Sequence, residues 1–110
     1  HCVAREKMAS VRALDIPIGE LRANPSVTLE YLERTCKKAV ETDGADGIVL
    51  GCLGMAEYGK TIEKKLGVTV FDPAFIAVAF AEMSTRLGLA HGERTYPKFT
   101  KTNDWDVPRF

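Results

Sequence analysis

The sequence has few features that would direct the protein to a membrane, a metal or a nucleic acid. It lacks the roughly 20 consecutive apolar residues of a transmembrane helix, and its first residues contain no apolar signal segment. Its 15 Lys and Arg residues balance its 15 Asp and Glu residues, which disfavours a nucleic-acid or acidic-membrane partner. Its three cysteines form no CxxC pair and no ligand cluster with His1 or His91. We therefore expect a cytoplasmic protein with reduced thiols and no metal.

The length limits the chain to one domain. With 110 residues, of which 45% are hydrophobic, the chain can bury a modest core. No internal repeat or low-complexity segment divides it. We expect an α/β lobe over residues 1–92, followed by an irregular tail over residues 93–110, where aromatic residues lie among charges without a regular period.

The most informative stretch is an apolar run that ends in a cysteine between two glycines. Residues 48–50 (IVL) are β-prone and flanked by glycines, which is typical of a strand buried on both faces of a parallel sheet. A helical pattern begins at Gly54, so Cys52 is predicted to lie in a strand-to-helix loop. Such loops bind small ligands in open α/β sheets, and the N–H groups that begin a helix favour negative charge. The alternative for Cys52 is a small buried residue that caps the strand.

An earlier helix precedes this stretch. Asn24 and Pro25 are an N-cap and a first-turn residue, and the helix is predicted to run to about Thr42. Its apolar residues follow helical spacing on one face: Leu29, Leu32, Cys36, Ala39 and Val40. Because Cys36 lies on this face, we interpret it as a core residue rather than a nucleophile.

Two further elements follow the helix that begins after Cys52. Gly67 ends that helix, and residues 68–71 (VTVF) predict a second strand, joined to the first by a parallel crossover. Asp72 and Pro73 are typical of a helix start, with a catalytic acid as the alternative role for Asp72. The next helix, over residues 74–87, is apolar on nearly every side, which predicts an interface with a further lobe or another copy.

The first 22 residues are harder to interpret. Residues 2–4 and 10–14 have the composition of short strands, separated by a charged loop or turn. Pro17 and Gly19 disfavour a regular element after them. Arg12 has two interpretations: an anion clamp near the site, or, more commonly for arginine, a solvated or paired surface residue.

Residues 44–55 (GADGIVLGCLGM), followed by residues 66–73 (LGVTVFDP), resemble the second half of the hydantoin/allantoin racemases in the aspartate/glutamate racemase superfamily. Residues 10–13 (SVRA), 15–17 (DIP) and 87–89 (LGL), with His91 and Tyr96-Pro97, are also similar to that family. The resemblance implies an α/β fold in which a three-layer, parallel-sheet, flavodoxin-like lobe is present in part. It also implies that this lobe is one of two.

The same resemblance implies a cofactor-independent isomerase. In the family, two cysteines on opposite faces of the substrate exchange a proton at a carbon next to a carbonyl, and Cys52 matches the second of them. Gly51, Leu53 and Gly54 then border the substrate, with the N–H groups of Leu53 and Gly54 near the enolate oxygen. Many relatives have a small residue or threonine where Leu53 stands, so the leucine favours a cyclic ureide or another neutral ring over a free amino acid.

The first cysteine of the pair has no match in this sequence. Neither Cys2 nor Cys36 stands in a strand-then-glycine loop, so we expect the chain to represent about the second half of such an enzyme. A missing N-terminal lobe or a homo-oligomer would then complete the site. Two alternatives remain open: a decarboxylase of the arylmalonate type that uses one cysteine, and a non-catalytic half that requires a partner lobe.

Overall fold

The computed structural model describes residues 3–96. Helix α1 spans Pro25–Glu41, α2 spans Tyr58–Leu66 and α3 spans Pro73–Arg86, while strand β1 spans Gly47–Val49 and β2 spans Thr69–Phe71. Short 3-10 turns occur at Val3–Lys7, Ile18–Glu20 and Leu53–Met55. None of the helices in the described range is long and apolar enough to cross a membrane.

The two strands form a parallel pair. Gly47 lies opposite Thr69, and Val49 lies opposite Phe71. The connection passes through α2, so the predicted strand–helix–strand order and the parallel pairing are confirmed. Leu50 extends the ladder by one bond, since its N–H donates to the carbonyl of Phe71 over 3.1 Å.

Helix α1 begins and ends as the sequence predicts. The side chain of Asn24 accepts the N–H of Val27, and Pro25 occupies the first turn, where a missing N–H costs nothing. The helix ends at Glu41, one residue before Thr42, which is its C-cap. Its apolar face is buried, and Cys36 is only 5% exposed, so the core role predicted for this cysteine is confirmed.

The core lies on one face of the sheet. It joins α1, β1 and α2 through a single cluster of buried residues: Leu32, Cys36, Ile48, Leu50 and Ile62. On the opposite face Val49 is 75% exposed and Phe71 is 45% exposed. The prediction of a strand buried on both faces is therefore wrong, because in the described part of the chain both α1 and α2 cover the same side. The α/β class with a small parallel sheet is confirmed, as expected of a partial flavodoxin-like lobe.

Helix α3 begins at the predicted place but covers little of the sheet. None of its residues is buried, and its large side chains Phe75, Val78 and Phe80 are 57–64% exposed. An apolar helix of this kind is stable when another surface covers it. The interface predicted for this helix stays a prediction.

The N-terminal strands predicted from composition do not form. Val3–Lys7 is a 3-10 turn, and residues 10–14 have no regular structure, while Cys2 lies outside the described residues. Arg12 binds Asp43 with two hydrogen bonds of 2.6 and 2.8 Å, and the Ser10 hydroxyl donates to the same carboxylate. These bonds fasten the segment to the end of α1. They also hold the pKa of Asp43 at about 2, mainly through Arg12.

The pairing of Arg12 agrees with its interpretation as a paired surface residue rather than an anion clamp. Of the tail predicted over residues 93–110, only the first four residues are described. They belong to a turn in which the Tyr96 N–H donates to the Gly92 carbonyl over 2.9 Å. Residues 97–110 lie outside the described residues.

Candidate active site

Cys52 lies in the loop that leaves β1, as the sequence predicts. Its backbone is extended (φ −140°, ψ 136°), and it caps the short turn Leu53–Met55. The thiol is half-buried. The Gly54 N–H donates to its Sγ over 3.4 Å. The sulfur therefore accepts a hydrogen bond from the backbone of its own loop.

The helix predicted to begin at Gly54 begins later. Leu53–Met55 is one 3-10 turn, closed by the Met55 N–H to the Cys52 carbonyl over 2.9 Å. The chain then leaves helical geometry at Ala56 (ψ 147°), Glu57 has a left-handed φ of 76°, and α2 starts at Tyr58. The N–H groups next to Cys52 therefore belong to a single 3-10 turn. The prediction that a long helix begins at Gly54 is wrong.

Gly54 packs closely against the side chains of Leu21 and Cys52. A Cβ at this position would lie 3.0 Å from Cδ1 of Leu21 and 3.5 Å from Sγ of Cys52. By contrast, a Cβ at Gly51 would have no atom within 4 Å. There is thus little space for a side chain at Gly54, while the surface at Gly51 is open.

Leu21 supports the loop that contains Cys52, a role that was not predicted from the sequence. Its side chain is only 2% exposed. Its carbonyl accepts two hydroxyl groups, from Thr28 over 2.8 Å and from Tyr58 over 3.0 Å. These bonds join the segment before α1 to the first residues of both helices. The sequence offered no local signal for them, because the partners lie far apart in the chain.

Asp72 joins the loop after Cys52 to the start of α3. One carboxylate oxygen accepts the Glu57 N–H over 2.9 Å, and the other accepts the Ala74 N–H over 2.9 Å. The side chain is 6% exposed, so both bonds are protected from water. The helix-capping role predicted for Asp72 is confirmed, and both of its oxygens are engaged in structural bonds.

A cavity of about 680 Å³ opens beside Cys52. Its walls are β1 and the loop after it, the inner face of α1, and residues 7–14. Cys36 also lines it but is packed in the core, and burial raises the pKa of its thiol. Leu53 extends outward with 64% of its surface exposed. Within residues 3–96, no three His, Cys, Asp or Glu side chains are grouped as metal ligands.

Comparison with known proteins identifies the family to which this loop belongs. A model of the Asp/Glu/hydantoin racemases matches residues 1–81. The chain belongs to this family. The matched range includes the Cys52 loop, both strands and most of α3.

Relatives in the family are longer than this chain. It is 37% identical over 84 residues to a hydantoin racemase from Pseudomonas sp. (strain NS671), covering 76% of this chain and 34% of the relative. It is 33% identical over 106 residues to a hydantoin racemase from Rhizobium meliloti, covering 96% and 41%. The chain thus spans roughly a third to two-fifths of the length of these relatives.

Solved structures of family members share the fold. The allantoin racemase from Pseudomonas fluorescens superposes with a TM-score of 0.77 at 38% identity, covering 88% of this chain and 43% of that one. The allantoin racemase from Klebsiella pneumoniae gives a TM-score of 0.79 at 31% identity, covering 92% and 42%. The arrangement of strands and helices described above is therefore shared with one part of each of these two allantoin racemases.

Proposed function

We propose that this chain supplies one half of a cofactor-independent racemase for hydantoins, allantoin or related cyclic ureides. The single observation that carries the proposal is the placement of Cys52. Its thiol is half-buried at the carboxyl end of a parallel strand, it borders the cavity, and it accepts the Gly54 N–H. The family of the chain and the names of its relatives support the reaction class.

The proposed reaction is a proton exchange at a ring carbon next to a carbonyl. The Cys52 thiolate removes the proton, the electron pair of the C–H bond moves into an enolate, and a second acid returns a proton to the opposite face. The product is the mirror-image ring, and the two acids have exchanged protonation states. The reaction needs no oxidant and no cofactor.

The backbone around Cys52 is suited to hold the substrate. The first hydrogen bond of the turn is donated by Met55, so the turn does not use the Leu53 N–H. We therefore assign the Leu53 N–H as a donor to the enolate oxygen. The Gly54 N–H is already directed at Sγ, so we assign it to support of the thiolate rather than of the substrate. Gly51 leaves open space for the ring.

The second acid is proposed to come from outside the described residues. Cys36 is buried among core side chains, and its raised pKa keeps it a neutral thiol. A further lobe of a longer chain, or another copy, would present the opposing group. By itself this chain would then exchange the proton on one face only, with retention of configuration.

The test follows deuterium entry at the ring carbon of an enantiopure 5-substituted hydantoin, together with optical rotation. The 110-residue chain is compared with Cys52→Ala and with Cys36→Ala as the matched cysteine control. We expect exchange to fall about 10²–10⁴-fold in Cys52→Ala, the usual contribution of a positioned acid or base, and to persist in Cys36→Ala. Cys52→Ser should also be impaired, since a hydroxyl is a much weaker acid than a thiol.

Two results would contradict the proposal. Equal exchange by Cys52→Ala and the unchanged chain would remove Cys52 from the reaction. Release of carbon dioxide from an arylmalonate, without exchange on any hydantoin, would select the single-cysteine decarboxylase instead.

A further inference from the structure

Leu21 contacts the loop that carries Cys52 at two points. Cδ1 of Leu21 lies 3.0 Å from the place of a Cβ on Gly54, whose N–H donates to Sγ of Cys52. The carbonyl of the same leucine accepts the Tyr58 hydroxyl over 3.0 Å. Tyr58 is the first residue of α2 and comes directly after the loop. Leu21 therefore packs against the turn beside the sulfur and binds the residue at which the loop ends.

The Leu21 side of this connection is buried. Leu21 is only 2% exposed, and its carbonyl also accepts the hydroxyl of Thr28, in α1, over 2.8 Å. The Tyr58 ring packs against the core cluster, and its hydrogen bond to Leu21 is partly buried, so water replaces this bond poorly. The next residue, Arg22, donates from its guanidinium to the Ala56 carbonyl over 3.3 Å. The end of the loop is thus bound to a segment that is itself joined to α1.

The backbone of the loop depends on contacts of this kind. Glu57 has a φ of 76°, which is uncommon for a residue other than glycine. A residue keeps such a backbone where the surrounding structure holds it. Here the Asp72 carboxylate accepts the Glu57 N–H, and the Tyr58 hydroxyl binds Leu21 one residue later. Loss of either bond should let the loop shift relative to Leu21.

We propose that Tyr58 is a positioning residue for Cys52 and that its hydroxyl acts through Leu21. The proposal rests on the function proposed for Cys52. Tyr58 does not line the cavity beside the thiol, so it has no contact with a substrate bound there. Its hydroxyl holds the Leu21 side chain against Gly54 and thereby keeps the turn and the thiol in place.

The test replaces Tyr58 with phenylalanine, which removes the hydroxyl and keeps the ring. Tyr31→Phe is the matched control, because it removes a hydroxyl from a residue of α1 that is 42% exposed. Iodoacetamide labelling at one pH is followed by mass spectrometry for each cysteine separately. Cys36 is buried in the core and reports a general loosening of the fold. Deuterium entry into an enantiopure 5-substituted hydantoin is measured on the same preparations.

Tyr58→Phe should change the two cysteines differently. We expect Cys52 to be labelled about two- to fivefold faster, since loss of one hydrogen bond favours open loop conformations by about this factor. Labelling of Cys36 should change by less than about twofold, because the core stays packed. The kcat of deuterium entry should fall about three- to tenfold with little change in KM, since a displaced base reacts poorly. A purely structural role would not separate the two cysteines in this way.

Four results would overturn the proposal. Cys52 is labelled equally fast in Tyr58→Phe and in the unchanged chain, or labelling of Cys36 accelerates as much as that of Cys52. Alternatively, Tyr31→Phe has the same effect as Tyr58→Phe, or deuterium entry catalysed by the unchanged chain is equally fast in Tyr58→Phe. If the unchanged chain catalyses no deuterium entry, the proposed function fails, while the labelling rates still decide whether the Tyr58 hydroxyl holds the Cys52 loop.

Discussion

Replacing Asp72 with alanine should destabilise the protein by removing two bonds at once. The carboxylate accepts the N–H of Glu57, in the loop after Cys52, and the N–H of Ala74, in the first turn of α3. The group is only 6% exposed, so water cannot easily replace it. Loss of the helix cap costs about 1 kcal/mol, and loss of a hydrogen bond to a charged acceptor costs about 1.5–3 kcal/mol.

The expected loss for Asp72→Ala is therefore about 2.5–4 kcal/mol in the free energy of unfolding. Asp72→Asn keeps one acceptor oxygen but places an amide donor against the other N–H. We expect it to lower the free energy of unfolding by about half as much as Asp72→Ala does. Urea unfolding followed by circular dichroism measures both, since the midpoint shifts while the slope stays constant.

Glu57→Gly provides the matched control at the other end of the same bond. It keeps the N–H that Asp72 accepts and relieves the left-handed backbone at Glu57 (φ 76°). We expect it to stabilise the protein by about 0.5–1 kcal/mol, a sign opposite to that of Asp72→Ala. A change smaller than about 0.5 kcal/mol for Asp72→Ala, within the range of ordinary surface substitutions, would refute the argument that this carboxylate joins the two segments.

Three further predictions concern other parts of the structure. Gly54→Ala should cost about 1–3 kcal/mol through crowding, whereas Gly51→Ala, with open space around it, should change the unfolding free energy by less than about 0.5 kcal/mol. The pKa of Asp43 is lowered from 3.8 to about 2, so the contribution of its carboxylate to stability is complete above pH 4 and is lost as the pH falls toward 2. Asp43→Asn should remove this part of the pH dependence of the free energy of unfolding, measured from unfolding curves at several pH values. Iodoacetamide should modify Cys52 well before the buried Cys36, as mass spectrometry of timed samples would show; equal rates would contradict the burial described for Cys36.

The helices and the strand order were predictable because their signals are local. Asn24 and Pro25 mark the start of α1, and Gly67 marks the end of α2 with the positive φ of 68° that glycine tolerates. A cap is made by residues that are neighbours in sequence, so its pattern is visible without the fold. The same holds for Asp72 and Pro73 at α3.

Burial and pairing were less predictable because they depend on what lies beside each element. The apolar run at β1 indicated two covered faces, yet Val49 is exposed because both packed helices lie on the side of Ile48. Residues 10–14 have strand-like composition, but no described strand lies next to them. A strand depends on partners that its own sequence does not specify.

At the candidate site, the sequence predicted the position of Cys52 but not its surroundings. The glycine on either side of the cysteine indicated a tight loop, and the family resemblance suggested its chemistry. The 3-10 turn, the break at Glu57 and the bonds from Leu21 and Asp72 depend on contacts between distant segments. Within the 3-10 turn, the Gly54 N–H donates to the sulfur.

The most direct test of the central claim is the rate of deuterium entry at the ring carbon of one enantiomer of a 5-substituted hydantoin, compared between the 110-residue chain and Cys52→Ala. We expect exchange by the unchanged chain, with configuration retained when no opposing acid is present, and a loss of about 10²–10⁴-fold in the variant. A folded Cys52→Ala chain that exchanges the proton as fast as the unchanged chain would contradict it.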